Sequence, residues 1–296
     1  MLKISIDTRP VGRYYFNADA SYTFFDQADV GNCSFKLRND YTVLMGYRLG
    51  PTPFNRAGGP IYQGKQKMKH SNPLLESSLL EQVAPYTVSG YGLFREIVES
   101  DGALPAKIKA LFVAVAAINK GYPELAQREI ARAAALGLPL NEAAAGLIVL
   151  SSLRGEGAAL AFKAVLDATY PQPSGAKAPT PAIEAAAGEA ENNFKQYFGT
   201  VPVALAKLLE LCPKGADAYY LMRKGSIECN QLSKKYAELM LVTILAADYS
   251  PMAATHIKAA RNVEASDVEL AEAILCAVPS AGIASWISAG ALLASA

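Results

Sequence analysis

From residue 73 onward, apolar residues recur at three- and four-residue spacing, the pattern of helices that bury one face. Leu74–Ala84 and Gly92–Ser100 read as amphipathic helices, and Ala106–Asn119 as a strongly apolar one whose lysines stand only at its start. Gly121, Tyr122 and Pro123 interrupt the pattern; Pro123 suits the first turn of a helix over Glu124–Leu136, which Gly137 ends. Asn141 is a candidate N-cap for an apolar helix reaching about Leu153, and Gly157–Thr169 predicts another. Four prolines between Tyr170 and Pro181 mark an exposed linker, after which helices resume with Ala182–Phe198. The first seventy residues differ in kind. They hold eleven of the twenty-five Tyr and Phe residues, in aromatic or β-branched runs (Arg13–Phe16, Ser21–Phe25, Tyr41–Tyr47) punctuated by Asn32, Asn39, Gly46 and the turn-rich stretch 50–60. Short strands and loops are predicted there, serving as a wall over a pocket or packing their rings against the helices or a partner subunit.

The helical part repeats itself. With Glu129 set against His256, an offset of 127, the chain overlays on itself without a gap from Lys107 to about Phe162. Lys107/Lys234, Ala110/Ala237, Tyr122/Tyr249, Ile130/Ile257, Glu142/Glu269 and Gly155/Gly282 then coincide. Identity at small and apolar positions is what a shared helix-packing scheme requires, so a duplicated bundle is predicted. The organisation expected is an N-terminal extension (1–72), a first helical repeat (73–169), a linker (170–181) and a second repeat (182–296). The last 23 residues, Ile274–Ala296, are uncharged and long enough to cross a bilayer. Their match in the first copy contains Arg154 and Glu156, so both stretches are read as buried helices and no membrane partner is expected.

Composition narrows the partners. Lys and Arg number 28 against 27 Asp and Glu, a net charge of +1, which gives no polybasic surface for nucleic acid. A small-molecule substrate and a second copy of the chain remain. Cys33, Cys212, Cys229 and Cys276 lie far apart with no C-x-x-C pair and no His in ligand spacing, so neither a disulfide framework nor a metal site is expected. An N-terminus without a signal-like apolar run and a set of free thiols together predict a cytoplasmic protein. The glycines form no phosphate-cradling motif, and no cofactor is expected.

Several phrases carry a resemblance: FGTVPVALAKLLELCP, AYYLMRKG, KKYAELMLVTILAADYSPMAATHIKAA and AILCAVPSAGIASWI. They are similar to the repeat unit of the carboxymuconolactone decarboxylase and alkylhydroperoxidase D-like family, with KIKALFVAVAAINKGYPELAQREIARAAALGLPLNEAAAGLIVL as a more distant first copy. The resemblance covers about Pro73 to the C-terminus and implies a mainly α, tandem-repeat bundle behind a small β-rich extension, assembled as a homo-oligomer. In the peroxidase branch a Glu precedes C-x-x-C, and a His follows four residues after the second Cys. That His matches His256, but Tyr249 and Met252 stand at the cysteine positions, and Tyr122 and Leu125 in the first copy, which rules out thiol chemistry there. The decarboxylase branch also lacks the cysteines and keeps the His. The family Glu is nearly matched by Glu238, which stands eighteen residues before His256 where nineteen are expected, a position held by Ala237; in the first copy Glu129 replaces the His and Ala110 or Leu111 the Glu.

The resemblance therefore implies a cofactor-independent lyase, decarboxylase or isomerase acting on a small carboxylated or enolic compound. His256 is the expected acid or base, with Tyr249 and Glu238 as helpers, since an imidazole moves protons near neutral pH and a phenol can protonate an enolate. Tyr122, Glu129, Asp248 and His70 are candidate substrate contacts. Two rival readings are a binding or scaffold protein built on degenerate repeats, and a peroxidase using displaced thiols.

Overall fold

The computed structural model describes residues 33–36, 42–45, 72–171 and 182–294. It divides into two compact units, Met1–Lys67 and Met68–Ala296. In the first, strands β1 (Cys33–Lys36) and β2 (Thr42–Met45) pair antiparallel, with Cys33 opposite Met45 and Lys36 opposite Thr42. The aromatic runs before β1, the turn-rich stretch after β2, His70 and most of the proline-rich linker lie outside the described residues.

The second unit is helical. Its first half holds α1 (Ser78–Val83), α2 (Pro85–Glu99), α3 (Ala106–Asn119), α4 (Pro123–Ala135), α5 (Leu140–Leu153) and α6 (Glu156–Thr169). The second half holds α7 (Glu189–Phe198), α8 (Val203–Leu211), α9 (Pro213–Ile227), α10 (Lys234–Ala247), α11 (Ala253–Asn262), α12 (Asp267–Leu275), α13 (Val278–Ala281) and α14 (Ala284–Gly290), closed by a 3-10 turn at Ala291–Ala294. Helices apolar on every side end up covered on every side. Accordingly α3 and α10, with almost no exposed residue after their first turns, pack on one another at the centre. The surrounding contacts are reciprocal: α2 of the first half packs on α12 of the second, and α9 of the second on α5 of the first. The halves thus meet as two subunits of a two-fold dimer would.

The helix ends correct the gap-free overlay. Pro85–Glu99 corresponds to Pro213–Ile227 and Ala106–Asn119 to Lys234–Ala247, each at an offset of 128. After the next turn the offset is 127: the Leu138 amide bonds the Ala133 carbonyl as Ala265 bonds Ala260, and Gly155 and Gly282 share the φ of 82° and 72° that favours glycine. One residue has been lost from the turn between α10 and α11. The ion pairs agree, since Lys107 meets Glu142 in the first half and Lys235, not Lys234, meets Glu269 in the second. Tyr249 therefore stands where Gly121 does, and both take positive φ, 55° and 80°. Glu238 stands where Ala110 does. The same deletion reduces the expected separation of nineteen residues to the eighteen between Glu238 and His256.

Other expectations also move. The helix read as Ala182–Phe198 begins only at Glu189, because Gly188 turns left-handed at φ 76° and the Glu189 carboxylate accepts the Ala186 amide. Asn141 sits inside the first turn of α5, whose cap position is Pro139. Ser77 caps α1, and α2 reaches back to Pro85. The uncharged C-terminal stretch is cut into short helices around Pro279 and Gly282; among the described residues no helix is long and apolar enough to cross a membrane.

Candidate active site

Three helices of the second half bring an imidazole, a carboxylate and a phenol together. Helix α10 carries Glu238, fully buried on its face toward α11; α11 carries His256, and α7 carries Tyr197. Nδ1 of His256 lies 2.8 Å from Glu238 Oε2. The Tyr197 hydroxyl lies 3.1 and 3.2 Å from the two Glu238 oxygens and 3.3 Å from the same Nδ1. A carboxylate only accepts, so this geometry selects the tautomer with the proton on Nδ1, donated to Glu238, and leaves the Nε2 lone pair available. The His256 side chain keeps 15% of its surface exposed. Nε2 has no partner among the described residues.

Arg223 of α9 lies over the Tyr197 ring, its Cζ 3.5 Å from the centroid, and donates to the Asn193 amide oxygen. Burial raises the Tyr197 pKa well above the phenol's ordinary value, and the Glu238 charge beside it raises it further. Tyr197 is thus a neutral proton donor across the working pH range.

Tyr197 and Glu238 form part of the wall of a cavity of about 1120 Å³, with His256 bonded behind them. Lys224, Lys234 and Lys258 also line it, as do Glu189 and Glu228. Lys224 is engaged, donating to the Tyr220 hydroxyl and to Glu189. That cluster pulls the Glu189 pKa down to about 2, first through the Tyr220 hydrogen bond. Lys234 and Lys258 have no acidic partner among the described residues, so each can meet an anionic group, although the lining lysines and glutamates balance at three of each.

The structure brings together only two of the seven residues singled out from the sequence, His256 and Glu238. Tyr249 does not line the cavity; its hydroxyl donates to the Ala281 carbonyl and Lys120 covers its ring at 5.3 Å. Asp248 accepts from Asn119 and pairs with Arg154, while Tyr122 is exposed at the N-cap of α4. Both sit at helix-end turns, and neither lines the cavity. His70 lies outside the described residues. Tyr197 and Arg223 were missed. Arg223 had a signal, since Arg95 precedes it by the offset of 128, but the overlay began downstream of both. Tyr197 had none beyond being an aromatic ring on a polar helix.

Glu129, the counterpart of His256, is buried elsewhere. Its Oε1 pairs with Arg95 at 2.6 Å and its Oε2 with Arg132 at 2.7 Å. Burial opposes its charge, but the Arg132 and Arg95 guanidinium groups outweigh burial and hold its pKa below the ordinary 4.5. These side chains line a separate cavity of about 320 Å³ between α2 and α4. Arg132 occupies the place that Ala259 leaves open in the second half.

The carboxymuconolactone decarboxylase family model matches residues 213–295, from α9 to the C-terminal turn. A solved structure from Burkholderia xenovorans LB400, described as a candidate carboxymuconolactone decarboxylase, shares 30% identity over 36% of this chain and 84% of its own, with a TM-score of 0.33. The chain belongs to the carboxymuconolactone decarboxylase family. A second solved structure from the same organism, described as a candidate subunit of a γ-carboxymuconolactone decarboxylase, shares 23% identity over 73% of this chain and 88% of its own, with a TM-score of 0.49. No curated protein matches the chain. Within the family frame, the matched segment contains Glu238 and His256 but begins after Tyr197, so the phenol comes from outside it.

Proposed function

We propose that the chain is a cofactor-independent lyase, such as a decarboxylase, or an isomerase, acting on a small carboxylated or enolic compound by acid–base catalysis beside His256. The observation that carries the reading is the bonded set Glu238–His256–Tyr197, of which Tyr197 and Glu238 line a cavity that also presents Lys234 and Lys258. In a decarboxylation the bond to the departing carboxylate breaks and its electron pair passes into an enolate, which a free ammonium such as that of Lys258 stabilises. Tyr197 or the His256 imidazolium then protonates the carbon, and Glu238 steadies the positive ring. In an isomerisation the same Nε2 lone pair removes a proton and returns it to a different carbon.

Thiol chemistry finds little support. Cys276 is buried and burial pushes its pKa up to about 12, while Cys212 and Cys229 are exposed and neither lines the cavity. The first compound to test is the carboxymuconolactone of the family name, followed by other small unsaturated carboxylic acids. CO₂ release and proton exchange in D₂O are to be compared between the native chain and His256→Gln. Turnover lost in the variant with an unchanged melting curve supports the reading; equal rates would remove His256 from the mechanism.

A further inference from the structure

The small cavity between α2 and α4 holds an arrangement that a purely structural role leaves unexplained. Arg95 and Arg132 line it and are only 4% and 3% exposed. Most of their donors are committed. Arg95 Nε bonds Glu99 and its Nη2 bonds Glu129; Arg132 Nε bonds Glu129 and its Nη2 the Val98 carbonyl. Yet Nη1 of each arginine is buried with no partner. A buried charged N–H left unbonded is strongly disfavoured, and two on the walls of one cavity point to acceptor atoms that belong inside it.

Charge decides the kind of acceptor. Arg128 stands exposed at the same cavity with no ion pair among the described residues, and the acids lining it are Glu99 and Glu129. Three guanidinium groups against two carboxylates leave one positive charge, which water would not neutralise and an anion would. Asn72, also on the wall, turns its side-chain oxygen to the Leu74 amide, so its NH₂ is a further donor. The hydroxyl of Tyr91 lies in the same field; burial, more than its charged neighbours, raises its pKa and keeps it neutral.

We propose that this first-half cavity binds a small oxyanion, the carboxylate or phosphate group of a compound with few other atoms, held by Arg95, Arg132 and Arg128. Planar guanidinium forks match both oxyanions, and about 320 Å³ lies at the small end of ligand pockets. The site belongs to one half only, because the residues corresponding to Arg128 and Arg132 are Thr255 and Ala259. It is independent of the chemistry assigned to His256.

Calorimetric titration of the full chain with inorganic phosphate and, separately, with succinate tests this. A saturable site is expected that is weakened about tenfold by Arg132→Met and several-fold by Arg128→Gln and is retained in Lys258→Gln, which affects only anion binding in the other cavity. Phosphate binding alone or succinate binding alone identifies which oxyanion is preferred. Arg128 is exposed, so its variant carries the test if Arg132→Met does not fold. The proposal is overturned if the native chain binds neither anion at millimolar concentration, if both arginine variants bind as the native chain does, or if binding is lost in Lys258→Gln.

Discussion

The cavity beside His256 and the cavity beside Glu129 share corresponding helices, α9 with α11 and α2 with α4, with α7 and α10 also lining the first, and three of the positions at which they differ set their chemistry. Glu238, His256 and Ala259 of the second half face Ala110, Glu129 and Arg132 of the first. In the second half a carboxylate reaches across from α10, the imidazole donates to it, and Ala259 is one of the residues lining a cavity of about 1120 Å³. In the first half alanine removes that carboxylate, α4 supplies its own in Glu129, and two arginines close on it, leaving about 320 Å³. The same backbone frame thus holds a basic imidazole or an arginine–glutamate–arginine cluster, depending on which helix provides the acid. The shared element is the arginine of α2 and α9: Arg95 binds a carboxylate, and Arg223 lies on a tyrosine ring.

The contrast is most sharply tested by removing the imidazole. His256→Gln is expected to lower kcat about 10²- to 10⁴-fold with no change in melting temperature, as measured by CO₂ release and circular dichroism. Removal of the counterpart should act on stability instead. Glu129→Gln strands two buried guanidinium groups and is expected to cost about 3–5 kcal/mol, read from the urea midpoint. A loss under about 1 kcal/mol would mean that the arginines find other acceptors.

Tyr197→Phe keeps the ring under Arg223 but deletes the hydroxyl shared by Glu238 and His256. A fall in kcat of about tenfold is expected, with a shifted pH profile and an unaltered fold. If kcat stays level, the phenol only packs. The smallest effect is that of acid. The pKa values of Glu129 and Glu272 are lowered in the folded chain, in both cases against the opposing influence of burial, so their stabilising contribution is fully present above the ordinary carboxylate value of 4.5. It is lost as pH falls from there through the lowered values, because the unfolded chain then binds protons more readily. The melting temperature should be level from pH 8 to about 5 and decline below 4.5. Glu129→Gln should flatten that decline; a decline equally steep in the variant would assign it to other carboxylates.

The central helices were legible because their composition admits one outcome: α3 spans the same residues, Ala106–Asn119, that its uninterrupted apolar run marked out. The start of α7 was not, because Ala182–Ala187 is as helix-compatible as the residues of α7 itself. The left-handed Gly188 and the bond that the Glu189 carboxylate accepts from the Ala186 amide end the preceding turn, and both are local features that helix propensity alone does not register. The pair Glu238–His256 was half visible. The residue types stood near the family spacing, but the missing residue between α10 and α11 shows only in the hydrogen bonds at the helix ends. Tyr197 lies 41 residues from Glu238, and no local pattern announces that α7 folds back over α10. Conversely, Tyr249 looked chemical because it fell opposite Tyr122, a coincidence of a register one residue out.

The reciprocal contact of α2 with α12 and of α9 with α5 has a genetic consequence. In an assembly of two identical chains, every codon change is imposed on both sites at once, so an arginine that strengthens one also blocks the other. Joined in a single chain, each half answers to its own codons. Arg132 can stand in one site while Ala259 stands in the other, and the molecule carries two differently lined chambers.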